Sequence, residues 1–363
     1  MSPTKFNIAI LGVGGVTKSL LPQLQWLISQ PKNPKMNLVF IANSSKAVYN
    51  FEGALDIEAV AESLKVSEQP YLGLQELLNQ LAASPNKAIL IDSTGTQQIA
   101  DAYPEILRRN ISIVTPSKKA FAGSYQLWQD IFAAEASTDA KVYIESSVGA
   151  GLPMIKMLKD LLEAGDEILR IEGVLSGTMT SIFSSFAPVN GAGVPWSVAV
   201  KQAKELGFTE PDPRDDLNGM DVARKLIIFA RLVGLPVDSA ASVPIQSLVP
   251  KDLEALNSAN LFLERLFEYD SSMDKIKADA EAQGKIPRYI GSIDLRSGKV
   301  NVGMEFYDKT HSFAGVSGSD NIIGFHTKRY PKPLILQGAG AGGDVTAMGI
   351  IGGLVKVSSQ LSN

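Results

Sequence analysis

The first 150 residues carry five short apolar runs, at 7–11, 38–42, 88–91, 112–115 and 142–145, with amphipathic stretches between them. Each run is apolar almost throughout instead of alternating, which marks a strand buried on both faces. Such strands pair in parallel and need helical crossovers. The expected fold class is therefore α/β, with a doubly wound Rossmann-type domain over residues 1–150. Its end is marked by Gly149-Ala150-Gly151-Leu152-Pro153, where glycines make a turn and the proline suits the first position of a helix. Beyond it the pattern predicts an α+β domain over 151–340: a helix to about residue 163, a strand at 169–175, a Gly- and Pro-rich loop at 188–195, further helices, and strands at 289–294, 300–307 and 333–337. The last stretch, 341–363, is glycine-rich and then helical, and is expected to return to the first domain.

A chain of 363 residues exceeds the usual single-domain size, and 45% hydrophobic residues suffice for two cores. The formal net charge of −4 gives no basic footprint, which argues against nucleic acid or an anionic membrane surface and for a small-molecule partner. Cysteine is absent, which excludes disulfides, thiolate metal sites and cysteine nucleophiles. The opening residues lack a secretory leader pattern, and the apolar stretch 345–355 is far shorter than the roughly 20 residues of a membrane span. A cytoplasmic protein is expected.

The first strand runs into ILGVGGVTKSLL, a glycine-rich turn opening a helix. Glycines let backbone approach a pyrophosphate, and the amides at the helix start favour its charge. Gly12, Val13, Gly14, Gly15 and Val16 are the candidate cofactor contacts. Thr17 occupies the third position of the G-x-G-x-x-G fingerprint, so the turn alone is a weak signal, and its plain alternative is a strand-to-helix connection. The second strand ends at Ala42-Asn43-Ser44-Ser45-Lys46, without an acid to hold a ribose 2′-hydroxyl. NAD and NADP both stay open, with Lys46 as a possible partner for a 2′-phosphate.

The second motif is TEPDPRDDLNGMDVARK, in which Glu210, Asp212, Asp215, Asp216 and Asp221 precede Lys225. Asn218 is expected to cap a helix, putting Asp221 and Lys225 four residues apart on one face. An exposed ion pair is the bland reading. The same face continues into Ile228 and Leu232, however, so the pair heads an apolar stripe, where a lysine among carboxylates suits acid–base chemistry. His311 and His326 lie outside both motifs and are read as structural.

This motif, together with LSGTMTSIF, ESSVGAGLP and TPSKKAF in the same order, resembles the homoserine dehydrogenase family over nearly the whole chain, in its short, single-function fungal form. The resemblance implies NAD(P)-dependent interconversion of L-homoserine and L-aspartate 4-semialdehyde. It implies Lys225 as proton donor with Lys119 beside it in the active site, and Glu210, Asp216, Asp221, Thr178 and Gly177 around the substrate. Thr94, Lys119 and Gly342 are implied as cofactor contacts. A monovalent cation, sodium by preference, is implied at Glu145, Val148, Ala150 and Leu152. A homodimer is expected, on the likeness and on an apolar sheet face formed by Tyr289, Ile293, Val300 and Val302. An aldehyde-oxidising semialdehyde dehydrogenase is excluded because it needs a cysteine, and a sensor without catalysis has no use for both the lysine and its carboxylates.

Overall fold

The computed structural model describes residues 4–362; the outermost positions of the expected first domain and tail, 1–3 and 363, lie outside them. The chain divides into two compact units, one reaching to Ile155 and resuming at Ala341, the other running from Lys156 to Gly340. The boundary falls inside the helix Met154–Glu163.

In the first unit, strands β1 (Lys5–Leu11), β2 (Lys35–Ala42), β3 (Ala47–Tyr49), β4 (Lys87–Asp92), β5 (Ile111–Val114) and β6 (Val142–Tyr143) form one sheet in the order β3-β2-β1-β4-β5-β6. All neighbours are parallel except β3, which adds antiparallel to β2 at the edge. This is the doubly wound dinucleotide-binding order, whose switch point lies between β1 and β4. Ile8, Ile10, Ile89 and Ile91 are fully buried beneath Leu20 and Leu24 of the helix Gly15–Ser29 and beneath Ile350 and Leu354 of the last helix, Gly343–Ser362. Gln23 Nε2 also donates to the carbonyl of Asp344 at 3.0 Å. The run 142–145 is shorter as a strand than expected, because Glu145 opens a 3₁₀ turn.

In the second unit, β7 (Ile168–Val174), β8 (Lys285–Asp294), β9 (Lys299–Asp308), β10 (Asp320–Thr327) and β11 (Leu334–Ala339) form a sheet in the order β11-β10-β7-β8-β9, antiparallel throughout. The helix Met220–Leu232 lies on one face, with Leu226 filling the space over Gly291 and Phe229 packed edge-on against Phe325. Tyr289, Ile293, Val300 and Val302 are all buried within the chain, at 8% exposure or less. The apolar face expected to need a second subunit is internal packing.

The histidines sit apart from both motifs. His326 Nε2 lies 2.8 Å from Glu172 Oε1, and Arg170 pairs with Glu172 Oε2 at 2.6 Å. Burial pushes the Glu172 carboxyl up, but its hydrogen bond with His326 and the Arg170 charge outweigh burial and hold it below the usual range. His311 Nδ1 accepts from Phe313 N at 3.2 Å. Among the described residues no helix is long and apolar enough to cross a membrane.

Candidate active site

The glycine turn follows β1, and the loop after β4 lies against it. Gly12 adopts φ +93°, and a Cβ there would sit 2.7 Å from the Ser93 carbonyl, so only glycine fits. Its N–H donates to Ala42 O at 2.9 Å. The helix beginning at Gly15 has no side-chain cap at Gly14, and nothing lies within 4 Å of where a Cβ would stand on Gly14 or Gly15. Open amides at a helix start are the chemistry that a pyrophosphate requires.

Behind the turn, fully buried Asp92 at the end of β4 holds the neighbouring loops. Its Oδ1 accepts from Thr94 N and Thr94 Oγ1 at 2.8 and 2.7 Å, and its Oδ2 accepts from Tyr103 OH at 2.6 Å. Burial, and then the Asp92 charge, push the Tyr103 phenol well up, so it stays a donor. Thr115 Oγ1 donates to Asp92 O at 2.8 Å and accepts from Ser117 N at 3.0 Å, and Ser117 Oγ accepts from Lys119 N at 3.3 Å. One hydrogen-bonded chain thus connects the Thr94 loop to the turn that presents the exposed Lys119. The sequence reading missed Asp92, Tyr103, Thr115 and Ser117; the signal available was an aspartate ending an apolar run, in IDSTG.

A cavity of about 1000 Å³ opens beside the glycine turn, lined by Val13, Lys18, Leu21, Asn43, Ser45, Lys46 and Lys65 among others. Asn43 Oδ1 shapes its mouth by accepting from Ser45 N and Lys46 N, both at 2.9 Å. The Lys46 ammonium donates to Lys65 O at 2.8 Å. Gly342, at φ +118°, accepts from Thr346 N and Oγ1 just before the last helix, whose Gly343 abuts Ser19 of the turn helix.

The loop 145–152 belongs to the same unit. Glu145 is 5% exposed and its Oε1 accepts from Ile155 N at 2.8 Å. Gly149 and Ala150 are both left-handed, at φ +72° and +55°, a strained setting for the alanine. A buried carboxylate with nearby carbonyls is the donor chemistry of a hard cation. Among the described residues there is no cluster of three or more His, Cys, Asp or Glu able to hold a metal, so carbonyls of Val148, Ala150 and Leu152 would have to supply most of the ligands.

In the second unit the acidic motif meets the end of β7. Lys225 is 8% exposed, and its Nζ donates to Leu175 O at 2.7 Å and pairs with Asp221 Oδ2 at 2.8 Å. Asp221 is the more open partner, with its side chain 42% exposed. Gly219, at φ +74°, takes the cap position expected of Asn218, whose Oδ1 accepts from Met220 N at 2.9 Å. The left-handed residue bends the chain out of the short helix Arg214–Leu217.

The helix Gly177–Phe186 starts directly after β7, capped by Ser176. A Cβ on Gly177 would sit 2.8 Å from Ser319 O, so glycine permits this approach. Thr178 Oγ1 lies 2.5 Å from Phe208 O and 2.9 Å from Asp216 Oδ1, while Asp216 Oδ2 accepts from Glu210 N at 2.8 Å. Glu210 itself is exposed. The structure therefore brings together Lys225, Asp221, Asp216, Thr178 and the Glu210 backbone. Asp212 turns away: it is clamped by Arg214, which also donates to the carbonyls of Leu253, Glu254 and Leu256. Asp215 lines a separate cleft with Asp212.

Burial pushes the Asp216 carboxyl up, and the Glu210 and Asp221 charges add to this, against the lowering effect of its bonds from Glu210 N and Thr178. An acid whose folded pKa is raised costs stability once pH passes its unfolded value near 4, and the full cost is present above the folded value. Asp216→Asn keeps one acceptor for Glu210 N and gains a donor for Thr178. It is therefore expected to unfold at a higher temperature than the parent at about pH 7, with the difference vanishing below about pH 4. Calorimetric scans at the two pH values check this; a variant less stable at neutral pH would overturn it.

Comparison with known proteins gives a consistent picture. Residues 153–355 match the family model described as homoserine dehydrogenase, and residues 12–145 match the homoserine dehydrogenase NAD binding domain. A homoserine dehydrogenase of Emericella nidulans is 48% identical over 98% of this chain and 98% of its own. That of Saccharomyces cerevisiae is 41% identical over 99% of this chain and 100% of its own. A Candida auris protein of unknown function has a crystal structure that superposes with a TM-score of 0.93 at 42% identity, covering 98% of both chains. A hyperthermophilic archaeal homoserine dehydrogenase in complex with NADPH shares the fold, with a TM-score of 0.73 at 21% identity and 98% of both chains covered.

Proposed function

The chain belongs to the homoserine dehydrogenase family, and we propose that Lys225 is the group that moves the proton in its reaction. The enzyme is an NAD(P)-dependent oxidoreductase that interconverts L-homoserine and L-aspartate 4-semialdehyde, on the route to threonine and methionine. The observation that carries the Lys225 assignment is its ammonium, buried between the Leu175 carbonyl and Asp221 at the head of an apolar helix. In the reducing direction Lys225 gives a proton to the substrate's carbonyl oxygen; in the oxidising direction it takes one from the hydroxyl. Asp221 holds the charge in place, and Leu175 O fixes the direction of the side chain. The nicotinamide, when bound, accepts or supplies the hydride.

The remaining roles are part of the same proposal. Glu210 and Asp221 receive the substrate, Glu210 through the amino acid's ammonium, with Thr178, Gly177 and Asp216 shaping the pocket. Lys119 is an active-site residue that also touches the cofactor. Gly12, Val13, Gly14, Gly15, Val16, Thr94 and Gly342 hold the dinucleotide, supported by the turn's open amides. The absence of an acid at Asn43 and the presence of Lys46 in the adjoining cavity favour NADP over NAD. A direct test follows homoserine oxidation with each dinucleotide supplied separately. Glu210→Gln is expected to raise KM for homoserine by about tenfold or more while KM for the dinucleotide changes little, because the amide loses a charge-assisted bond. An unchanged homoserine KM would remove Glu210 from the site.

A sodium ion held by Glu145, Val148, Ala150 and Leu152 is supported by the oxygen-rich loop and its strained Ala150; equal unfolding temperatures in sodium and in choline salts would remove it. A homodimer rests on the family likeness alone, now that the sheet face first invoked for it is internal; light scattering that finds an active single chain would refute it. We place the enzyme in the cytoplasm, where a cysteine-free chain needs no oxidising surroundings; fractionation decides.

A further inference from the structure

The residue that breaks the glycine fingerprint is also the one that ties the turn together. Thr17 is fully buried in the first turn of the helix Gly15–Ser29, and its Oγ1 donates to Gly12 O at 2.7 Å. Gly12 N already donates to Ala42 O, and the backbone of Ser93 and Thr94 fills the space where a Cβ would stand. Both polar groups of Gly12 are therefore pinned, one to the end of β2 and one to the helix. We propose that Thr17 is a positioning residue for the dinucleotide: its hydroxyl fixes the glycine turn in the shape that presents the first helical amides to the pyrophosphate. This rests on the NAD(P)-binding assignment above.

The physical reason is preorganisation. In the usual fingerprint a third glycine lets the helix pack close to the strand. Here the threonine is accommodated with no exposure, and it supplies a donor that glycine cannot. Without that donor the Gly12 carbonyl has a weaker hold on its native orientation, and the turn samples shapes in which the amides diverge. A ligand that binds only the native shape then binds more weakly in proportion to the fraction lost. Nothing lies within 4 Å of where a Cβ would stand on Gly14 or Gly15, so that side of the turn is open to a ligand.

The test titrates the full-length protein with NADH and NADPH by calorimetry, alongside steady-state kinetics. Thr17→Val keeps the shape and loses the donor; it is expected to raise the dinucleotide Kd about tenfold, with kcat at saturating cofactor within about twofold of the parent. Thr17→Ser keeps the hydroxyl and is expected to bind like the parent. Thr17→Val that melts earlier but binds with the parent's Kd would make the hydroxyl merely structural and overturn the proposal. Should Thr17→Val not fold, Thr17→Gly against Thr17→Ser decides: the glycine variant binding as tightly as the serine variant would also overturn it. If the parent bound neither dinucleotide, the cofactor assignment would fail instead, and the two failures are thus distinct.

Discussion

Lys225→Met is expected to lower kcat by roughly 10²- to 10⁴-fold, the range that positioned acid–base groups contribute, while dinucleotide binding stays near that of the parent. Methionine keeps the length and apolar stem of the buried side chain, so the helix Met220–Leu232 retains its packing. Two polar groups lose their bond to Nζ. Asp221, with its side chain 42% exposed, is rehydrated at little cost. The Leu175 carbonyl loses the bond from Nζ, a loss of about 1–3 kcal/mol if no water replaces it. The expected variant is therefore folded, somewhat less stable, able to bind cofactor, and nearly inactive. Rapid-quench or steady-state assays with homoserine, next to a thermal scan, separate these effects. Turnover within about tenfold of the parent would sink the assignment.

What the sequence made legible was what is local along the chain. The glycine turn shows itself because its strand, glycines and helix are consecutive, and Asp221 and Lys225 because one helical turn joins them. Continuous apolar runs revealed β1, β2, β4 and β5. β3 escaped because three residues make no pattern. β10 escaped because Gly324 and His326 interrupt its apolar run; a Cβ on the glycine would crowd the end of Ile335 at 3.1 Å. The cap position falls on left-handed Gly219, one residue after Asn218, while the Asn218 side chain still accepts from Met220 N at the helix start. The second-unit contacts were beyond reach for a different reason. Lys225 meets Leu175 across 50 positions, and Thr178 meets Asp216 across 38; only the antiparallel sheet and the return of the chain to the end of β7 bring them together. The sheet face at 289–302 shows the same limit: alternation reveals that one side is apolar, but not that Leu226 and its helix already cover it.

Gly12→Ala is expected to damage both the fold of the first unit and its cofactor site. The new Cβ would stand 2.7 Å from the Ser93 carbonyl carbon and oxygen and 2.8 Å from Thr94 N, and all three are backbone atoms that cannot rotate aside. An L-residue at φ +93° costs about 1–2 kcal/mol, and overpacking against a fixed backbone adds about 1–3 kcal/mol. Relief requires the turn to leave the β4 loop, which breaks the Gly12 bond to Ala42 and moves Thr94 and the helical amides. Dinucleotide affinity is therefore expected to fall by at least about 100-fold, together with a lower unfolding temperature. Gly15→Ala is the control. Its Cβ meets nothing within 4 Å and its backbone is not left-handed, so it is expected to leave stability unchanged or raise it by about 0.4–1 kcal/mol. Thermal scans of the two variants, with calorimetric titration of Gly12→Ala, distinguish a turn that tolerates methyl groups from one built around a single permitted residue. A Gly12→Ala protein that binds either dinucleotide within about threefold of the parent would show that the loops at the ends of β1 and β4 yield freely, and that the geometry of Gly12 does not control the cofactor site.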